Sequence, residues 1–312
     1  MERCDFLPVS AEEMHERGWW WYDALVVGGD AYVDHPSFGT AVISRVLEAE
    51  GLRVAVLAQP DWHDAEAFRA MGRPRLGVFI GAGNLDSMVA HYTAAKRRRS
   101  EDFYSPGKRT GCRPDRAAIV YCNRAREAFG PDMPIILGSL EASLRRFAHY
   151  DYWDDAVRRA ILFDAPADLL VYGMGEAATI EIAHRLKKKQ SVRTMTDIPG
   201  TGYITRDPSV CKFDHITLPS FEDVRDDKRL YAEATRTEYA EHDPIRGRAM
   251  IQPCEGRYLI INPPAMPLDT KELDRVAELP YTREWHPMYE PLGGVPAIEE
   301  VRFSVIHNRG CF

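Results

Sequence analysis

The stretch Leu25-Val-Val-Gly28-Gly29-Asp30-Ala-Tyr-Val-Asp34-His35-Pro36-Ser37-Phe-Gly39, running on into Thr40–Glu50, decides the fold class. Leu25–Val27 is too short and too rich in β-branched residues for a helix, so it reads as a buried strand. Thr40–Glu50 then places Val42, Ile43, Val46 and Leu47 on one face and stops at Gly51, a residue fit for a left-handed helix cap. The same kind of apolar run returns at Val54–Leu57, Val78–Ile80, Ile135–Leu137 and Leu169–Tyr172, each followed by glycine or a polar turn. Tyr121, Ala125 and Phe129 recur at helical spacing, as do Leu140, Leu144 and Phe147, predicting two further helices with apolar faces. Strands of continuous apolar character alternating with helices predict an α/β domain over residues 23–190. Its core is a doubly wound, mostly parallel sheet.

Residues 1–22 read as a lead-in, and after Gln190 the texture changes. Ser191–Pro219 is polar and broken by Pro199, Gly200, Gly202, Pro208 and Pro219, which opens a connector of mixed elements over 191–300. Within it the pattern predicts a helix over 226–241, a strand at Tyr258–Ile261, and a long surface connection at Leu279–Pro296. Val301, Phe303 and Val305 alternate as a new strand over 301–312 that runs toward Cys311. A strand placed there, with nothing after it to pair or cover it, reads as part of a longer protein.

Composition narrows the classes. In 312 residues, 45% hydrophobic and 28% charged content excludes whole-chain disorder. A net charge of −7 argues against a surface that coats nucleic acid throughout, although a local basic patch stays open. Six cysteines without a Cys-x-x-Cys pair do not make a disulfide scaffold. With neither a signal-like start nor an apolar run of membrane-spanning length, the expected compartment is the reducing cytoplasm, with no membrane partner.

In a doubly wound sheet, ligands sit outside the carboxyl ends of the strands, near the point where strand order reverses. The candidate ligand-binding residues on that edge are Gly28, Gly29, Asp30, His35, Gly81, Asn84, Gly138, Gly173, Gly175 and Glu176. The ends of the first, third and fifth predicted strands are expected to line a cleft holding Asp30, His35, Asn84 and Glu176. The plainer alternative is that these glycines only make tight turns. Gly173-x-Gly175-x-x-Ala178 fits a dinucleotide fingerprint, but Glu176 would set a carboxylate where a pyrophosphate meets helix N–H groups. That argues against a nicotinamide cofactor. His35 beside Asp34 is either a metal or cobalt ligand, an acid–base pair, or part of a loop whose Asp30, Asp34 and Ser37 cap turns.

Two motifs fall outside this edge reading. From Lys96 to Arg126, ten basic residues (Lys96, Arg97, Arg98, Arg99, Lys108, Arg109, Arg113, Arg116, Arg124, Arg126) face three acidic ones. With Phe103, Tyr104 and Tyr121 interleaved, the segment would track RNA or grip a phosphorylated substrate, or be a solvated helix face and loop. His149–Asp155 is dense in aromatics, suited to packing across a seam or to stacking on a substrate.

Several blocks in order along nearly the whole chain carry a family resemblance. Gly29-Asp-Ala-Tyr-Val-Asp-His-Pro-Ser-Phe-Gly39, Ala58-Gln-Pro-Asp-Trp62, Leu137-Gly-Ser-Leu-Glu-Ala-Ser-Leu-Arg-Arg146, Ala148-His-Tyr-Asp-Tyr-Trp153, Leu218-Pro-Ser-Phe-Glu222 and Ile261-Asn-Pro-Pro-Ala265 resemble the YgiQ-type family of radical S-adenosylmethionine (SAM) proteins. The resemblance implies that Arg302–Cys311 leads into a C-x-x-x-C-x-x-C motif with Cys311 its first cysteine and metal ligand. Three such thiolates hold a [4Fe–4S] cluster, and the remaining iron takes the amino and carboxylate groups of S-adenosylmethionine. Reductive cleavage of the sulfonium then gives a 5′-deoxyadenosyl radical. Cluster and S-adenosylmethionine are expected in the full-length protein only, with Val301–Ile306 the first strand of a truncated radical SAM barrel; this chain alone should lack the reaction.

The α/β domain resembles the cobalamin-binding-like, Rossmann-like domain that precedes such barrels, through Gly173-x-Gly175-Glu176 and Leu137-Gly138-Ser139. It departs from the cobalt-binding Asp-x-His-x-x-Gly pattern: Asp34 and His35 are adjacent, Pro36 follows, and Gly39 is one place late. The expected function is the N-terminal region of a radical SAM enzyme of unknown substrate. The alternatives are a non-catalytic module for a corrinoid or nucleotide, and an RNA-contacting part of a nucleic-acid-modifying enzyme.

Overall fold

The computed structural model describes residues 5–304, and in it all five residues of strand β1, Ala24–Gly28, are buried. The further strands are β2 Val54–Ala58, β3 Gly77–Ile80, β4 Ile135–Leu137, β5 His149–Asp151, β6 Ala156–Arg158, β7 Leu169–Val171, β8 Thr201–Thr205, β9 His215–Thr217, β10 Ala249–Cys254 and β11 Arg257–Ile261. The helices are α1 Ala11–Glu16, α2 Gly39–Ala49, α3 Glu66–Ala70, α4 Ser87–His91, α5 Ala117–Phe129, α6 Ser139–Leu144, α7 Glu176–Lys187, α8 Phe221–Asp226, α9 Lys228–Ala240, α10 Thr270–Ala277 and α11 Ile298–Val301. Each of the five strands predicted within residues 23–190 is present, as is the one predicted at Tyr258–Ile261.

One nine-stranded sheet runs β2-β1-β3-β4-β7-β8-β11-β10-β9. From β2 to β7 all pairings are parallel. The chain leaves β1 toward β2 on one side and returns to β3 on the other, so strand order reverses between β1 and β3. Alternation along β1 sends Leu25 and Val27 to one face, where Phe68 of α3 and Tyr121 and Phe129 of α5 cover them. Ala24 and Val26 go to the other face, under Val42 and Val46 of α2 and Ile182 and Leu186 of α7. Burial of each large apolar side chain is worth roughly 1.5–3 kcal/mol, and a sheet fed from both faces doubles the supply.

Several expectations need correction. The sheet does not stop near residue 190: β8, β11, β10 and β9 continue it, with β8 antiparallel to β7 and β11. Thr201-Gly-Tyr-Ile-Thr205 has no apolar run, and Pro253 interrupts the pattern of β10, so neither strand announces itself. Leu140 and Leu144 do not face the core; they are 39% and 60% exposed, because α6 ends at Leu144 and Phe147 is buried beyond it. The expected helix over 226–241 is present as α9, Lys228–Ala240. An unpredicted α8 precedes it, parted from it at Asp227, whose extended backbone breaks the ladder and whose side chain accepts the Arg229 N–H to start α9. The stretch 279–296 is not a surface connection. Tyr281, His286, Tyr289 and Val295 are buried, and the Tyr289 hydroxyl accepts the Tyr32 N–H at 3.0 Å. Val301 ends α11 and Arg302 and Phe303 turn, so no strand starts there. The rest of that expected strand and Cys311 lie outside the described residues.

At the opposite, amino-terminal edge, the Arg53 guanidinium lies 5.6 Å from the Trp19 ring and 4.0 Å from the Trp21 ring, and that of Arg75 lies 3.5 Å from the Trp21 ring. These residues precede β1, β2 and β3, so the stack fastens three strand starts together. Arg53→Ala is expected to lower stability by about 1–2 kcal/mol. Urea unfolding checks this, with Arg53→Lys retaining part of the loss.

Candidate functional site

The parallel strands end in four loops at one edge, and a cavity of about 160 Å³ opens there between α2 and α7. Its walls are apolar side chains of the face those helices cover: Val26 of β1, Phe79 of β3, Ile136 of β4, Val171 of β7 and Val42 of α2. Thr40, Ser139, Thr179 and the Glu176 carboxyl group add polar groups. Glu176 is only 1% exposed. An apolar cavity near 150 Å³ accommodates a benzene-sized group, so this one has room for a single ring and not for a macrocycle.

Of the candidate residues, Gly81, Gly138, Gly173, Gly175 and Glu176 line this cavity. Gly28, Gly29, Asp30, His35 and Asn84 do not, and the expected cleft uniting Asp30, His35 and Asn84 with Glu176 is not formed. The reasons are local. A Cβ on Gly29 would overlap the Ala82 carbonyl, and one on Gly83, at φ +114°, would overlap the Asp30 carboxylate. These glycines let the β1 and β3 loops press together and leave no space between them. Asn84 clamps them further: its N–H donates to Asp30 at 2.6 Å, its Oδ1 accepts the Gly39 N–H at 3.1 Å, and its Nδ2 donates to the Ser37 carbonyl at 3.0 Å.

Asp30 is turned away from the cavity by Arg113, whose guanidinium bridges Asp30 at 2.6 Å and Asp102 at 2.7 Å. All three side chains are buried. Burial works against the Arg113 charge, but Asp30 and Asp102 more than offset it and its pKa is raised. Burial likewise pushes the Asp30 carboxyl up, with Arg113 opposing. Nothing in the sequence marks Arg113 out from the basic segment around it. Asp34 is spent in the same way: it accepts from Arg45 Nε at 3.1 Å and from the Thr282 N–H at 2.9 Å. It therefore ties the loop to α2 and to the segment after α10.

His35 is fully buried, and its Nδ1 accepts the Ser37 N–H at 3.1 Å. Its Nε2 is sealed inside without a hydrogen-bond partner among the described residues. Burial, aided by Arg283, lowers its pKa, so the ring is neutral at pH 7. An imidazole closed off on both nitrogens does not present itself to a corrin, and the cavity is too small for one. The described residues therefore do not fit a histidine-ligated cobalamin. Nor do they fit an iron–sulfur cluster: among them no group of three or more histidine, cysteine or acidic side chains gathers to hold a metal. Cys122 and Cys254 are buried, and burial pushes their pKa values up, that of Cys254 to about 12. Such thiols are poor thiolate donors.

The chain belongs to the radical SAM N-terminal family, whose model matches residues 6–304. A UPF0313 protein of Clostridium botulinum (strain 657 / Type Ba4) is 53% identical over 312 residues, which is 100% of this chain and 48% of that protein. A UPF0313 protein of Clostridium perfringens (strain SM101 / Type A) is 52% identical over 311 residues, covering 100% of this chain and 47% of that protein. The chain thus spans about half the length of the curated relatives it matches, and the YgiQ-type resemblance stands. A solved structure also matches: the radical S-adenosylmethionine methyltransferase TsrM from Kitasatospora setae with cobalamin and a [4Fe–4S] cluster bound. That match has a TM-score of 0.35 and 19% identity, and covers 58% of this chain and 26% of that one, a likeness too slight to carry an argument. No helix among the described residues is long and apolar enough to cross a membrane.

Arg113→Met is expected to destabilise the fold by roughly 3–5 kcal/mol, because it strands two buried carboxylates. Urea unfolding measures the loss, and adding Asp30→Asn and Asp102→Asn should restore much of it.

Proposed function

We propose that the whole protein is a radical S-adenosylmethionine enzyme and that this chain is its ligand-holding N-terminal half. The observation that carries the first part is the family match over residues 6–304, with Cys311 a few residues beyond it. In this reading Cys311 supplies one cluster thiolate and the other two come from the part of its relatives' length that this chain does not span. The cytoplasm is the proposed compartment, where the free thiols of Cys122 and Cys254 stay reduced.

The cavity between α2 and α7 supports the second part. Its apolar walls favour a flat ring, and Glu176 selects one that offers an N–H rather than an anion. A pyrimidine base meets both requirements with a single ring, so we take a pyrimidine nucleoside as the occupant. A corrinoid held through His35 is not part of the proposal.

Two experiments test this. Anaerobic reconstitution with iron and sulfide is expected to leave a cluster on the full-length protein and none on this chain after desalting. A full-length protein that stays empty, or a Cys311→Ala variant that fills normally, would overturn the enzyme reading. For the cavity, calorimetry with cytidine is expected to show saturable binding weakened about tenfold by Glu176→Gln, the loss of one hydrogen bond to the carboxyl group. Cobalamin is expected to show no binding that His35→Ala removes. Absence of cytidine binding, or cobalamin binding lost in His35→Ala, would sink the ligand assignment.

A further inference from the structure

The two motifs that the cavity leaves unused, the basic segment after α4 and the aromatic run 149–155, meet in space. Tyr92, Trp153 and Tyr152 form a row with ring centroids 5.2 Å and 5.4 Å apart. Cations edge it at both ends: Lys96 lies 4.8 Å from the Tyr152 ring and Arg98 5.5 Å from the Tyr92 ring. The Tyr152 hydroxyl donates to the Ala94 carbonyl at 2.6 Å, and Lys96 Nζ donates to the Trp153 carbonyl at 3.2 Å, so the hairpin and the basic loop are fastened to each other. Beside the row runs a groove of about 470 Å³, within the usual size range of ligand sites, with Arg98, Arg99, Leu85, Val89 and Phe103 in its lining. Val89, Phe103 and Tyr152 are 48%, 44% and 48% exposed.

The charges on this surface are not all equal. Arg113, Arg116, Arg124, Arg126 and Lys108 of the basic segment are committed to carboxylates of the same chain. Lys96, Arg97, Arg98 and Arg99 form no ion pair among the described residues and are exposed. Four consecutive exposed cations without an ion pair among the described residues, next to exposed aromatic faces, in a protein of net charge −7, call for a partner that brings both negative charge and flat rings. A polynucleotide single strand brings them in one chain: phosphates for the cations, bases for the rings. A duplex hides its base faces, and a bare phosphate has none.

We infer that Lys96–Arg99 with Tyr92, Phe103 and Tyr152 form a binding track for single-stranded nucleic acid. This goes beyond the cavity and the cluster and does not depend on either.

The test is fluorescence anisotropy of a labelled oligouridylate of about a dozen nucleotides against the full chain, between about 50 and 200 mM salt. Saturable binding is expected, with affinity falling as salt rises. Arg97→Gln/Arg98→Gln/Arg99→Gln should make the log–log salt slope shallower by about 2, from the loss of about 0.7 per phosphate contact. Tyr152→Ala should weaken binding about tenfold with little change in that slope, because it removes stacking and no charge. Arg75→Gln, at the opposite edge of the sheet, should bind as the parent does, and thermal melts establish that each variant is folded. The proposal is overturned if the parent does not bind. It also fails if the variants at 97–99 and 152 bind unchanged, if a duplex of equal length binds as tightly, or if free uridine monophosphate competes as well as the oligomer. That last result would mark a site for a small phosphorylated molecule.

Discussion

The ligand edge is organised around one buried charge. Arg113 reaches into the protein from a loop more than 80 residues beyond β1 and closes on Asp30 and Asp102, all of them out of water. A buried guanidinium is tolerable only when its donors are answered, and two carboxylates from separate loops answer it. The consequence is geometric. Asp30 also takes the Asn84 N–H, and Asp102 the Ser105 hydroxyl at 2.8 Å, so loops after β1 and β3 and the loop before α5 become one block. The Ala31 N–H, donating to the Tyr104 carbonyl at 2.9 Å, closes the block from its other side. With these loops packed solid, the remaining space at the edge lies on the far face of the sheet, under α2 and α7.

That explains which part of the site the sequence discloses. The position of the edge is legible, because β-branched runs ending in glycine can be read as buried strands with tight exits. Gly81, Gly138, Gly173, Gly175 and Glu176 follow from that rule alone and line the cavity. Which side of the sheet a loop folds to is a different matter. Asp30 and Asn84 lie at the carboxyl ends of their strands as read, but the Arg113 partnership that takes them out of the cavity joins residues 83 positions apart, and no local pattern encodes it. His35 gives the opposite lesson. Beside Asp34 it reads as a ligand pair, but Asp34 is held by Arg45 and the Thr282 N–H, and the imidazole is left in the interior, its Nδ1 taken by the Ser37 N–H.

The same division runs through the fold. Strands β1 to β4 and β7 are short but purely apolar, since both faces are covered and no position has to be polar. Beyond β7 the sheet is mixed, antiparallel through β8, β11 and β10 and parallel at β9. Apart from β11, whose apolar run is legible, its strands carry threonine, glycine, glutamine and proline, and the signal fades although the hydrogen bonding continues. The segment 279–296 fails for another reason. Its four prolines and two glycines look like a solvent-exposed connection, whereas the Tyr289 hydroxyl accepts the Tyr32 N–H and the His286 N–H donates to the Tyr32 carbonyl, contacts across some 250 residues.

Net charge conceals a comparable asymmetry. The acidic total of −7 reflects a surplus of carboxylates spread over the chain, while the basic segment splits into two populations by depth. Arg113, buried, and Arg116 and Arg126, partly so, hold loops and helices in place through carboxylates. Lys96–Arg99, on the surface, pair with no carboxylate among the described residues, although Lys96 donates to the Trp153 carbonyl and Arg99 to the Val89 carbonyl. A cation that holds the fold cannot release its carboxylate for a phosphate without the desolvation penalty returning. An exposed one beside an aromatic face exchanges only water and counterions for its partner. The groove they border shares the cavity's edge, since Leu85 follows β3 and Tyr104 is bonded to the loop after β1. The cavity and the cationic groove therefore rest on the same locked block of loops, and a change at Arg113 would be felt by both.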